Sequence, residues 1–305
     1  MPASRPTNKA AIIGGIFDRR EELLDTLRQG PEEVLVQDEG KKRVLPCRWE
    51  LKTIQAAIPW LQPYSLSGVW RMLERYRLKL RTARVQQYSP DPDYELKEAH
   101  LLACLRETAQ NPERSVFLFL DEMGYYRWPE ETKVWTQAAP AQAPQADRQQ
   151  TKQQQWRLIG VLNALSGQVD YLDGYIVGRA KVIDMYRQIV NRYGWATQIY
   201  VAQDNWSIHK HDDVMTALAT MPTIKPVWLP TYAPWLNPIE KLWRWLRQDV
   251  LKMHRLAGQW PILRQRVNTF LDQFTDGSQD LLRYVGLAGE GKFARAIRNA
   301  SLPVL

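Results

Sequence analysis

No stretch of this 305-residue sequence approaches the roughly 18 consecutive apolar residues of a membrane-spanning helix, and the opening MPASRPTNKA lacks the apolar block that leads a secreted chain. Both absences point to a soluble, cytoplasmic protein with no membrane partner. Cysteine is nearly missing as well. Cys47 and Cys104 stand far apart without CxxC spacing, so neither a zinc site nor a disulfide framework is supported, and two idle or buried thiols are expected. Hydrophobic residues at 45% and charged residues at 24% match ordinary globular usage, which excludes wholesale disorder and a fibrous repeat. The length suffices for one large domain or two ordinary ones.

The chain does have positive charge, and it is unevenly placed. The net charge is +8, yet residues 41–87 alone carry eleven basic residues against Glu50 and Glu74. They include Lys41, Lys42, Arg43, Arg71, Arg75, Lys79, Arg81 and Arg84. A second run over residues 241–266 sets seven bases, Arg244 and Arg247 among them, against Asp249. Clustered positive charge suits a polyanion, because neutralising phosphates releases condensed counterions. A solvated basic face is the plainer alternative.

Residues 1–40 carry five bases and eight acids and an amphipathic helix with Ile16, Leu23, Leu24 and Leu27 on one stripe, ended by Gly30 and Pro31. Residues 49–84 read as a helix-turn-helix: one helix ends near Pro59, a turn runs through Gln62 and Pro63, and a second helix opens at Ser65. On that second helix Leu66, Val69, Leu73 and Tyr76 recur at helical spacing, while Arg71, Arg75 and Lys79 fall at i, i+4 and i+8 on another face. A basic stripe there suits major-groove docking. YSPDPDY (88–94) reads as a linker.

Beyond it come strand and helix signals in alternation. SVFLFL (115–120) has the look of a buried central strand that ends at Asp121, and residues 156–165 and 168–177 flank a tight turn at Ser166 and Gly167. A helix over 181–193 precedes IYVAQ (199–203), a strand ending at Asp204. A helix over 208–220 follows, then a strand over 224–229 that Pro226 confines to a sheet edge, then a helix over 237–251. Residues 136–155, rich in Gln, Ala and Pro, read as an extended loop. This order predicts a mixed sheet with helices on its faces, where functional groups gather beyond the carboxyl ends of the strands.

Asp121 and Asp204 would then lie close together if their strands are adjacent and parallel, and Glu240 is the best candidate for a third carboxylate. Such oxygen ligands suit Mg2+ or Mn2+, with two ions about 4 Å apart. Each acid also has a local explanation: a turn residue at Asp121, an Asx turn at Asp204, and a capping box at Glu240 with Asn237 at N-cap and Pro238 at N1.

Three motifs, FLDEMG (119–124), VAQDNWSIHKH (201–211) and LPTYAPWLNPIEKLWRWLR (229–247), resemble the DDE transposases of the bacterial insertion sequence 630 family and their mariner-like relatives. The likeness runs from about residue 49 to about residue 250. It implies an α/β fold: a ribonuclease H-like mixed five-stranded sheet flanked by helices, preceded by an all-α helix-turn-helix domain of winged-helix type. The implied layout is an acidic helical segment 1–40, a DNA-binding domain 41–90, a linker helix 91–112, a catalytic domain 113–255 with a clamp-like loop at 136–155, and a helical extension 256–305. It implies catalytic and metal-binding roles for Asp121, Asp204 and Glu240, with two Mg2+ or Mn2+ ions per site. Supporting or capping roles are implied for Glu122, Asn205, His209 and Asn237. Double-stranded DNA is the implied partner, handled by a homodimer on paired ends with cut-and-paste movement into TA dinucleotides. Two departures stand out: 35 residues separate Asp204 from Glu240, one more than the family spacing, and one helix-turn-helix is legible where relatives usually carry two. The residues alone leave open a non-catalytic DNA-binding repressor, a ribonuclease acting on hybrids and a metal-dependent hydrolase of small molecules.

Overall fold

A computed structural model describes residues 9–29, 31, 48–80, 88–134, 145–146 and 152–300. Lys41, Lys42, Arg43, Cys47, Arg81 and Arg84, and most of the 136–155 loop, lie outside the described residues. The chain divides into two units, residues 1–86 and 87–305.

The smaller unit is helical. Helix α1 (Lys9–Arg28), α2 (Leu51–Ala57), a 3-10 turn (Pro59–Leu61) and α3 (Leu66–Arg75) enclose a core of Leu23, Ile54, Ile58, Leu61, Val69 and Tyr76. Ser65 caps α3, its side chain accepting from the Gly68 N–H. The helix-turn-helix therefore forms where the sequence placed it, but α3 is shorter than the basic stripe requires. Arg77 adopts φ 60°, Leu78 N–H donates to Leu73 O (2.8 Å) and Arg77 N–H to Glu74 O (2.9 Å). These paired bonds close the helix as a Schellman motif. Arg71 and Arg75 are exposed on α3, whereas Lys79 lies past its end and does not continue the stripe.

The larger unit is built on a five-stranded sheet in the order β3-β2-β1-β4-β5, with β1 (Ser115–Tyr126), β2 (Gln155–Asn163), β3 (Val169–Gly174), β4 (Gln198–Gln203) and β5 (Ile224–Trp228). Strands β1, β4 and β5 run parallel, and β2 is antiparallel to β1 and β3. Pro226 sits on an edge strand, as its missing N–H demands.

The alternation of β1 sorts the core. Phe117, Phe119, Met123 and Tyr125 face α4 (Tyr94–Gln110), α7 (Ile239–Leu246), α8 (Trp260–Asp272), α9 (Gln279–Val285) and α10 (Lys292–Ala300), whereas Val116, Leu118 and Leu120 face α5 (Arg179–Arg192) and α6 (Asp212–Ala219). Cys104 is a buried free thiol of the first core, and burial pushes it up to about 11. Among the described residues no helix is long and apolar enough to cross a membrane.

Segment 88–94 is no slack linker. Asp91 accepts from Thr231 N–H (2.8 Å) and Lys97 Nζ (2.7 Å), and Ser89 Oγ donates to Thr231 O (2.5 Å). Lys97 and these backbone bonds hold the Asp91 carboxyl well below the usual carboxylate range. Asp91 and Ser89 thus clamp the loop that leads to α7.

Candidate active site

Strand β1 does not end at Asp121 as the apolar run suggested. Its antiparallel ladder with β2 continues to Tyr126, while its parallel ladder with β4 stops at Phe119 and Ala202. Asp121 thus lies where β4 has just left the sheet. Asp204 follows directly on Gln203, the last residue of β4, two positions beyond the last β1–β4 pair. Asp121 follows the parity of Phe119 and Met123 along β1, so it belongs to the face covered by α7.

Glu240 stands in the first turn of α7, between the fully buried Ile239 and Leu242 two positions on. The capping-box explanation fails here. Pro238 occupies the N-cap without a side-chain cap bond, and Asn237 instead sends Nδ2 to Leu120 O (3.0 Å), tying the start of α7 to β1 one residue before Asp121. The expected helix over 237–251 is also shorter: α7 ends at Leu246 and a π turn covers Arg247–Leu251.

The three carboxylates sense one another. Burial, then the charges of Glu240, Glu122 and Asp204, push Asp121 well above the usual carboxylate range. Burial and Asp204 raise Glu240 against the opposing charges of Arg244 and Arg247. Asp204 behaves differently: burial raises it, but hydrogen bonds from His209 and the Trp206 N–H (2.9 Å) prevail and lower it. The Trp206 contact is the Asx turn expected locally.

Glu122, next along β1, projects to the other face and meets His209 Nε2 at 2.9 Å; His209 Nδ1 lies 3.4 Å from Asp204 Oδ1. Burial opposes a charged His209, yet bonds to Asp204 and Glu122 outweigh it and lift the imidazole to about 10. A buried imidazolium thus spans two carboxylates. Glu122, Asp204 and His209 also present ligand atoms within 4.8 Å of one another. Asn205 donates to Leu229 O (2.7 Å) and accepts from Lys210 Nζ (2.7 Å), fastening the Asp204 turn to the loop after β5.

Two residues escaped the sequence reading. Trp243 is buried on α7 and donates from Nε1 to Asp121 Oδ2 (2.9 Å). Its ring lies over Gly160, the β2 partner of Asp121, where an added Cβ would stand 2.8 Å from Trp243 Cη2. Trp243 follows Glu240 at i+3, a spacing visible in the sequence; Gly160 needs the strand register. Of the basic residues near the acids, Arg244 is exposed, while Arg247 is engaged with Glu130 Oε1 (2.9 Å) and Gly124 O (3.3 Å).

Residues 116–259 match the family described as DDE superfamily endonuclease, and this span contains all three acids. The chain is also 27% identical over 119 residues to the insertion element IS630 uncharacterized 39 kDa protein of Shigella sonnei, covering 39% of this chain and 34% of that protein. The resemblance to the insertion sequence 630 family is borne out by these two matches. The aligned span is about a third of that relative's length. Among solved structures, the Mos1 transposase paired-end complex with left transposon end matches with a TM-score of 0.56 at 14% identity, over 99% of this chain and 88% of that one. The Mos1 mariner paired end complex with Mn matches at 0.52 and 14%, over 92% and 85%. At such identity these two establish a shared fold, the ribonuclease H-like mixed sheet expected from the sequence.

Proposed function

We propose that this chain is a DNA transposase that cleaves the ends of a mobile element and joins them to target DNA, with Asp121, Asp204 and Glu240 as its catalytic acids. The observation that carries this reading is the charge coupling of Asp121 with Glu240, Glu122 and Asp204, which together with burial raises the Asp121 carboxyl. Mutual repulsion of this kind, in an all-oxygen donor set, fits hard divalent cations. Asp121 and Asp204, with Glu240, would hold Mg2+ or Mn2+, two ions per site. When bound, such ions polarise a phosphodiester and make water a competent nucleophile at neutral pH.

The residues of the chain fix the acids. Trp243 orients the Asp121 carboxylate, His209 and the Trp206 N–H orient Asp204, and Asn237 sets the distance between α7 and β1. Arg244 is the exposed cation best placed by sequence to meet a phosphate near Glu240. Arg71 and Arg75 on α3 suit phosphate or groove contacts, with Lys79 beyond the helix as a looser contact. The same acids would serve hydrolysis and then attack by the freed 3′ hydroxyl on target DNA. Cut-and-paste movement into TA sites by a homodimer on paired ends is the finer form of this reading, supported by the kinship with an insertion element protein and by the fold shared with mariner paired-end complexes.

The test is a nicking assay on duplexes carrying the inverted repeats that flank the gene. In Mg2+ the purified chain is expected to release 3′ hydroxyl ends and, with target DNA added, joined products. Chelation should stop both and leave band-shift binding intact. Binding without cleavage at any Mg2+ or Mn2+ concentration would instead identify a DNA-binding repressor.

A further inference from the structure

Among the described residues, three non-glycine residues have positive φ: Arg77, Tyr232 and Met253. Arg77 is accounted for by the closure of α3. Met253 is partly buried and follows the π turn, its N–H bonded to Glu130 O (2.9 Å). Tyr232 has no such explanation. It adopts φ 54° and is 77% exposed as a residue, the most exposed aromatic among the described residues. A bulky side chain in the left-handed region is disfavoured, and a conformation of this kind persists only where the surroundings over-determine it.

The surroundings do so through the preceding residue. Thr231 N–H is taken by Asp91, Thr231 O by Ser89 Oγ, and Thr231 Oγ1 by Asn205 Nδ2 (3.4 Å). Asn205 is the neighbour of Asp204, so the strained tyrosine is mounted on the turn that carries the second acid. Tyr232 also belongs to the loop that delivers Glu240. Lys210, bonded to Asn205, holds its ammonium 4.9 Å from the Trp228 ring, which adds positive charge beside the same loop. The fold thus holds an aromatic ring out in solvent on the loop between β5 and Glu240, at a conformational cost and with little contact of its own.

We propose that Tyr232 is a stacking platform for one nucleobase of the DNA next to the scissile phosphate, unpaired when that phosphate enters the site. This rests on the transposase reading. An aromatic face accepts any base, so the contact holds the substrate in position without reading its sequence. For a base unpaired as its phosphate enters the site, the ring would replace the stacking lost with its neighbours.

The experiment is a cycle of variants and substrates. Nicking is measured for the full chain and for Tyr232→Gly, Tyr232→Leu and Tyr232→Phe, on an intact end duplex and on duplexes made abasic at each of the three nucleotides either side of the cleavage point. On intact DNA, glycine and leucine should lose about 10- to 100-fold and phenylalanine little. At one abasic position wild type and Tyr232→Gly should nick equally, because the base that the ring holds is gone. Thermal melting controls for folding: glycine is at ease at φ 54°, so Tyr232→Gly should melt no lower than wild type. Equal nicking by Tyr232→Gly and wild type on intact DNA, or a deficit that persists at every abasic position, overturns the proposal while leaving the transposase reading in place. A wild-type chain that nicks no DNA overturns both.

Discussion

Asp121→Asn is expected to melt at a higher temperature than the wild-type chain in the absence of divalent metal, and to lose nicking by a factor on the order of 10³ or more. The two effects share a cause. In the folded chain burial and the charges of Glu240, Glu122 and Asp204 raise the Asp121 carboxyl well above its unfolded value. A carboxyl raised on folding binds its proton more tightly in the native state, so native stability declines as pH climbs from about 4 through the raised value. At neutral pH the acid is a cost to the metal-free fold. The amide removes that cost, and its Oδ1 can still accept from Trp243. Removing that cost should therefore raise the melting temperature of the metal-free chain. Melts in chelator and single-turnover nicking in Mg2+ provide the two readouts. A variant that melts lower, or that still nicks at the wild-type rate, would remove Asp121 from the centre of the site.

Gly160→Ala should cost about 1–3 kcal/mol of stability and about 10- to 100-fold in nicking at limiting metal, although residue 160 touches no substrate. The added methyl would stand 2.8 Å from Trp243 Cη2 and 3.2 Å from Cζ2, so the indole must shift. When it shifts, its Nε1 leaves Asp121, and a carboxylate that was held in one rotamer becomes free to turn. Trp243→Phe removes the same hydrogen bond while opening space above Gly160. The double variant should therefore nick no worse than Trp243→Phe alone, a non-additivity expected only if both residues act through one contact. Full additivity would mean that the glycine serves sheet packing and nothing else. Raising the Mg2+ concentration should recover part of the loss, as befits a defect in ligand positioning.

How much of this could be read in the sequence depended on how local each cause was. The apolar run 115–120 and the run 199–203 marked two central strands because burial on both faces leaves them nearly continuous. Pro226 marked the edge because a missing N–H is a property of the residue itself. Ser65 marked the start of α3 for the same reason. What was missed depended on partners distant along the chain. β1 continues past Asp121 because β2, more than thirty residues on, pairs with it to Tyr126. Asn237 looked like a cap, yet its amide is taken by a carbonyl 117 residues away. The two prolines of 88–94 signalled a break in regular structure but could not reveal the grip of Asp91 and Ser89 on Thr231. Lys79 was assigned to the stripe because periodicity has no term for the left-handed residue that closes α3. The acids themselves were legible as a motif; the tryptophan and glycine that orient the first of them required the register of β1, β2 and α7.

The central claim is that the three acids form one divalent metal site, and Mn2+ binding measured by paramagnetic resonance on the full chain with end DNA tests it most directly. Wild type should take up Mn2+ at the site, two ions per chain at saturation, and Glu240→Gln should weaken that uptake at least about tenfold while binding DNA as before. Mn2+ uptake that is absent, or identical in wild type and Glu240→Gln, would contradict the account.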